Sequence, residues 1–244
     1  MKRLFMATMG LPKAGKTTFG MSAFTSDHLD PERVVYIDNH NSTAGAEGLP
    51  EYNRKSGSGV LEVENVTQIA EYLVEMERKM ARTGKRPLDC VILDDITELS
   101  ALSIAHLTED GPMNMVKWGQ HKIFMSNLYR KVKNVSEHGL FIGRCEWQGS
   151  PDEQPDPTSV GDLRTQEMQI ILEGSFKNWF IYDVAILAYQ YKQVSGSGRA
   201  KFYMQLQRTD DVRVENRLWS GDPRKLEAPS FDGLCEVINK QEEE

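Results

Sequence analysis

Gly10-Leu11-Pro12-Lys13-Ala14-Gly15-Lys16-Thr17 decides how this chain is read. The stretch fits G-x-x-x-x-G-K-[ST], in which small residues let successive backbone N–H groups converge on phosphate oxygens where a helix begins. Four constrained positions arise by chance in about one chain in a hundred of this length, so context must choose between a phosphate cradle and a plain Gly-rich turn. Upstream, Leu4 to Met9 is a short apolar run, and downstream Lys16 to Phe24 is compatible with helix. Strand, loop and helix in that order are the context that phosphate binding requires. Lys16 is then expected to reach the β- and γ-phosphates of a nucleotide, and the Thr17 hydroxyl to bind Mg2+. Gly10, Leu11, Pro12, Lys13, Ala14, Gly15 and Thr18 complete the expected cradle. The chain lacks the guanine-reading N-K-x-D motif, which favours ATP over GTP.

Such a site needs an acid at the end of a neighbouring strand to hold magnesium through water. Val91-Ile92-Leu93-Asp94 supplies an apolar run closed by a carboxylate, and Asp94 is assigned that role. Asp95 points the opposite way along an extended chain, toward capping the turn at Thr97 or orienting an attacking water. The alternative is that both acids only start the next helix.

Around these motifs, Arg33 to Asp38 reads as a second buried strand, ended by the polar cluster Asn39 to Thr43, with its C-terminal end expected near that of the first. Val66 to Met80 repeats apolar residues at helical spacing, with Asn65 and Gln68 as its start-side cap. A turn at Gly84 to Pro87 leads to the strand Cys90 to Leu93. Met115 to Val135 is a long amphipathic helix with a basic C-terminal half, followed by a strand at Gly139 to Gly143 and a loop at Gly149 to Asp162. Asp183 to Tyr191 and Lys201 to Gln207 read as strands joined through Val194 to Gly198, and a short helix near Phe231 to Ile238 precedes an acidic tail. Strands alternating with helices imply an α/β fold, with a mostly parallel sheet flanked by helices and antiparallel C-terminal strands. One domain spanning residues 1–244 is expected.

Composition narrows the function. Hydrophobic content of 39% and charged content of 27% are ordinary for a soluble protein, and no apolar run approaches a membrane span. The phosphate loop begins too soon after Met1 to leave room for a signal peptide, so a cytoplasmic protein without membrane contact is expected. A net charge of −7 argues against a surface that coats DNA generally, leaving a local basic groove as the route to nucleic acid. Cys90, Cys145 and Cys235 have no paired spacing and read as buried thiols; the five histidines offer no zinc pattern.

The order of the Gly10–Thr17 loop, Tyr36-Ile37-Asp38, Val91 to Thr97, the Trp118-Gly119 helix, the Leu140 strand and Asn216-Arg217 resembles the phage RecA-like P-loop ATPases of the single-strand annealing recombination group. That resemblance covers most of the chain and implies an ATP- and Mg2+-dependent homo-oligomer in the host cytoplasm. Single-stranded DNA, and a phage single-strand binding protein, are the partners it implies. In such proteins a glutamate after the second strand activates the attacking water. Here Asp38-Asn39-His40 stands in that place, so turnover is expected to be slow, with Asp38, His40 or Asp95 positioning water instead. Resemblance also implies an arginine delivered to a neighbouring subunit, with Arg217 the first choice and Arg213 the second. The strand end Arg144-Cys145-Glu146 falls where such folds sense the γ-phosphate, with Glu146 a weak candidate.

For DNA, the candidates are the helix bearing Arg130, Lys131 and Lys133 and the segments Gly149 to Thr165 and Val194 to Lys201. Trp147, Tyr189 and Tyr191 are the nearby aromatics, each open to a core role instead. Two other functions compete. One is a nucleotide-regulated assembly protein with little hydrolysis. The other is a small-molecule kinase, for which the region after Gly149 lacks an Arg-rich lid.

Overall fold

The computed structural model describes residues 3–39, 41–44, 47–148, 167–195, 198–209 and 212–243. β1 (Phe5–Gly10) is followed by the loop and by α1 (Lys16–Met21), which continues as a 3-10 turn over Ser22–Thr25. Then come β2 (Val34–Asp38), β3 (Gly59–Glu62), α2 (Val66–Thr83), β4 (Leu88–Asp94), α3 (Ile96–Thr108), α4 (Met115–Val135) and β5 (Ser136–Gln148). The remainder is β6 (Glu167–Ile170), α5 (Gly174–Asp183), β7 (Ile186–Val194), β8 (Ala200–Gln205), β9 (Glu215–Asn216), β10 (Lys225–Glu227) and α6 (Phe231–Glu243).

Strands lie in the order β10-β8-β7-β1-β5-β4-β2-β3, with β6 pairing β5 and β9 pairing β7. From β7 to β3 every pairing is parallel, whereas β8, β10, β6 and β9 join antiparallel. The expected mostly parallel sheet with antiparallel late strands is present. β5 and β4 stand between β1 and β2, so the ends of the first two strands are not neighbours.

Alternation along the strands separates two cores. Odd-numbered Phe5, Ala7 and Met9 of β1 join Val91 and Leu93 of β4 under α2, α3, α4 and α5, through Leu73, Leu99, Met125 and Phe180 among others. Even-numbered Leu4 and Met6 join Tyr36, Ile92 and Ile142 under α1 and α6, through Phe19, Phe231 and Leu234. A sheet buried on both faces explains why its central strands read as continuous apolar runs.

Helix bounds follow local chemistry. Asn65 caps α2 by accepting from the Thr67 and Gln68 amides, and the left-handed Gly84 ends the helix. Asn114 caps α4, whose bounds match the periodicity. Three expectations need correction. Asp183 closes α5 and β7 starts at Ile186; β5 runs on to Gln148 because its last residues pair with β6; α6 continues to Glu243, absorbing two of the tail glutamates. The Gly149 to Asp162 loop lies outside the described residues. Among the described residues, no helix is long and apolar enough to cross a membrane.

Candidate functional site

The chain winds from β1 outward to β2 and β3, returns through β4 and β5, and reappears on the other side of β1 as β7. Strand order therefore reverses at β1, and the C-terminal edge at such a reversal is where open α/β sheets form a crevice for ligands. Gly10 ends β1 on that edge, in register with Arg144 of β5 and Gln190 of β7. Asp94 ends β4 in register with Asp38 of β2.

Backbone shape in the loop depends on its glycines. Gly15 has φ +90, in the left-handed region, and a Cβ there would stand 3.1 Å from the Phe202 ring. A Cβ on Gly10 would lie 2.5 Å from the Gln190 carbonyl oxygen. Lys16 folds back over the loop, its Nζ donating to the carbonyls of Gly10 at 2.8 Å and Leu11 at 3.0 Å. Burial pulls its ammonium below the ordinary value, opposed by the charges of Asp95 and Asp94.

The two acids have different tasks, Asp94 closing β4 and Asp95 capping α3. The Thr17 hydroxyl donates to Asp94 Oδ2 at 2.9 Å, Ser42 Oγ donates to the same oxygen at 2.8 Å, and the Tyr36 hydroxyl joins them. Tyr36 is fully buried, and burial together with the Asp94 charge pushes its phenol well above the ordinary value. Asp95 caps α3, accepting from the Thr97 amide at 2.7 Å and from Arg144 Nε at 2.9 Å. Burial and the Asp94 charge raise its carboxyl, while Arg144 and the Thr97 and Glu98 amides act against that rise.

The turn after β2 is stitched to this acidic pair. Asn39 donates its amide to the Asp94 carbonyl at 2.9 Å and Nδ2 to the Asp95 carbonyl at 3.0 Å. Asp38 uses Oδ1 for the Ser42 amide at 2.9 Å and Oδ2 for the Thr43 amide and hydroxyl at 2.8 and 2.7 Å. Both of its oxygens thus shape a turn. His40 lies outside the described residues.

No family model and no curated protein matches this chain.

The structure thus brings together Lys16, Thr17, Asp94, Asp95, Asp38 and the Gly10 to Thr18 loop. Arg217, which the resemblance assigns to a neighbouring subunit's site, lies away from them in its own chain. The Arg217 guanidinium donates to the carbonyls of Tyr182 and Ile181 at the end of α5, and its amide bonds Ala185 before β7, on the opposite edge of the sheet. Arg213 hangs by its amide from Met168 of β6. Glu146 is exposed on the β5–β6 arm.

Among the DNA candidates, Lys131 pairs with Glu77, Lys133 lies 3.0 Å from Asp183, and Arg130 stands over the Trp179 ring. Tyr189, Tyr191 and Tyr203 stack at 5.7 and 5.4 Å, and Lys225 covers Tyr203 at 5.0 Å. Each tyrosine therefore spends a ring face on its neighbour. The Trp147 side chain and residues 149–165 lie outside what is described.

Sequence reasoning missed Tyr36, Asn39 and Ser42 as site residues, and named Arg144 only as part of a strand end, without its partners. Period two was signal enough for Tyr36, which stands two residues before Asp38 in its strand. Arg144 needed the knowledge that β5 adjoins β1.

These residues fit a magnesium–nucleotide group by their donor chemistry. A hydroxyl oxygen beside a carboxylate that can hold a coordinated water is hard-oxygen chemistry of the kind Mg2+ takes while keeping several waters. Among the described residues, no cluster of three or more His, Cys, Asp or Glu is placed to hold a metal. A site of one hydroxyl and one carboxylate does not need such a cluster.

Proposed function

We propose that this chain is an ATP-binding P-loop ATPase with a RecA-like core, taking ATP with Mg2+ at the C-terminal edge of β1. The observation that carries the reading is the Thr17–Asp94 contact, which joins the last residue of the loop motif to the strand-end acid 77 positions away. Bound magnesium would supply Lewis-acid stabilisation of the phosphates, with Thr17 and Asp94 as the residues that would hold it. The Lys16 ammonium, now on the loop carbonyls, would be the cation to hold the phosphate oxygens. Ser42 and Tyr36 keep the Asp94 carboxylate aimed at Thr17.

Hydrolysis is slow in this reading. General-base assistance to water is worth about a hundredfold to ten-thousandfold, and it needs an uncommitted carboxylate. Asp38 is engaged by Ser42 and Thr43, and Asp95 by the α3 cap and Arg144. The same observation favours a second reading, a nucleotide-regulated assembly protein that switches on binding. Single-stranded DNA as partner, homo-oligomerisation and a role in phage recombination are proposed on the resemblance of the motif order alone.

Phosphate release measured with and without single-stranded DNA separates the two. Stimulation by DNA supports the recombination ATPase. Tight magnesium–ATP binding with no release under either condition supports the assembly switch, and absence of ATP binding removes both.

A further inference from the structure

Gln190 lies under the Gly10 to Thr17 loop, and the contacts described so far make no use of its side chain. It is in register with Gly10 of β1 and Met204 of β8, and alternation groups it with Ile186 and Ala188 in the core on the α1 side. The residue is fully buried, yet among the described residues neither its Oε1 nor its Nε2 has a hydrogen-bond partner. Thr8 stands on the same face of β1, also buried, and its hydroxyl is likewise unpartnered. The loop folds down onto this spot. A Cβ on Gly10 would meet the Gln190 carbonyl oxygen at 2.5 Å and the Ala14 methyl at 3.2 Å.

A buried amide with both polar atoms unpaired is costly, and an apolar side chain of the same shape would avoid that cost. Its position shows which bond it could make. Lys16 Nζ serves two loop carbonyls, Gly10 in a partly buried bond and Leu11 in an exposed one. An ammonium that turns to phosphate leaves both carbonyls without it. Water can reach Leu11, whereas the Gly10 carbonyl calls for a donor from the protein. Gln190 Nε2 is an unspent donor at the same rung of the adjacent strand, about 5 Å away between backbones and so within the length of a glutamine side chain. We propose that Gln190 positions the loop in the nucleotide-bound protein, its amide donating to the Gly10 carbonyl in place of Lys16 while the Thr8 hydroxyl donates to its Oε1. Gln190 is a positioning residue that does not touch the nucleotide. By replacing the bond that Lys16 gives up, it raises affinity for a ligand that draws the ammonium away. The inference rests on the P-loop reading.

Gln190→Met keeps the length of the side chain and removes both polar atoms. Two measurements on the full chain decide its role: thermal melting without nucleotide, and calorimetric titration with a non-hydrolysable ATP analogue in magnesium. The variant is expected to melt no lower than wild type, and up to about 6 °C higher, because no unpaired amide remains in the core. It is expected to bind the analogue about three- to tenfold more weakly. A glutamine with a structural role alone would not split the two readouts in this way. A lowered melting temperature together with weaker binding, or an affinity equal to or above that of wild type, therefore overturns the proposal. Should Gln190→Met fail to fold, the side-chain amide signal of Gln190 in isotopically labelled wild type decides by nuclear magnetic resonance. That signal is expected to move downfield as the analogue saturates the protein, and a signal that stays in place overturns the proposal. Wild type that binds no analogue overturns the P-loop reading as well, a result distinguishable from equal binding by wild type and variant, which overturns the role of Gln190 alone.

Discussion

The Thr17 hydroxyl lies 2.9 Å from Oδ2 of Asp94, and that oxygen also accepts from Ser42 and Tyr36. Three hydroxyls on one carboxylate oxygen fix its position before any cation arrives. Asp94→Asn keeps the shape and removes the charge that attracts magnesium. It is expected to weaken ATP binding about tenfold or more with magnesium present and much less in EDTA, as calorimetry under both conditions will show. Equal losses in both conditions would mean structural damage instead.

His138 gives the fold a pH dependence of its own. Its Nδ1 accepts the Leu4 amide at 3.1 Å, and burial pushes the imidazole down to about 4, with Arg3 adding to the fall and Glu137 and Asp89 opposing it. The unfolded chain, with a pKa near ~6.5, therefore binds more protons than the folded one between those values. This contribution is fully present above about pH 6.5 and declines as pH falls toward 4, by about 2 kcal/mol between pH 6.5 and 5. Urea unfolding across that range should show the decline in wild type and a shallower one in His138→Gln. Parallel slopes would contradict the assignment.

Two glycines should respond oppositely to the same change. Gly10→Ala forces a Cβ to 2.5 Å from a backbone oxygen of β7, where neither strand has room to move, and is expected to lose about 1–3 kcal/mol. Gly119 is exposed within α4 with open space around it, so Gly119→Ala should gain up to about 1 kcal/mol from helix propensity. Thermal melting of both variants checks the pair.

Particular residues show what was legible. α4 could be read to its ends because apolar spacing and the Asn114 cap are both local signals. Lys16, Thr17 and Asp94 could be named because the motif and an apolar strand ending in an acid each stand within a few residues. β3 and α5 passed unread: Gly59 to Glu62 is short, and the aromatics of Gly174 to Asp183 carry no clear helical stripe. Arg217 was given a role toward a neighbouring subunit from its place in the motif order; its surroundings in its own chain depend on β9 pairing with β7, which no local pattern announces. Arg144 was named only within its strand end, without partners, because those partners lie 46 and 49 residues away.

Arg217→Ala is expected to act on stability. The side chain bonds carbonyls at the end of α5 and lies over the Tyr182 ring, and losing those contacts should lower stability by about 1–2 kcal/mol. ATP affinity should remain as in wild type. If instead ATPase activity collapses in a fully stable oligomer, Arg217 serves a neighbouring subunit, as the resemblance implies.

Lys16 bears the assignment as a whole, because its ammonium rests on the carbonyls of Gly10 and Leu11, within the loop that would receive phosphate. Calorimetric titration of magnesium–ATP into wild type and Lys16→Ala, with folding of both confirmed by circular dichroism, tests it directly. Wild type should bind, and the variant should lose affinity by about tenfold or more, since a charge-assisted bond to phosphate disappears. Equal affinity in the two folded proteins would contradict a phosphate-binding loop at Gly10 to Thr17.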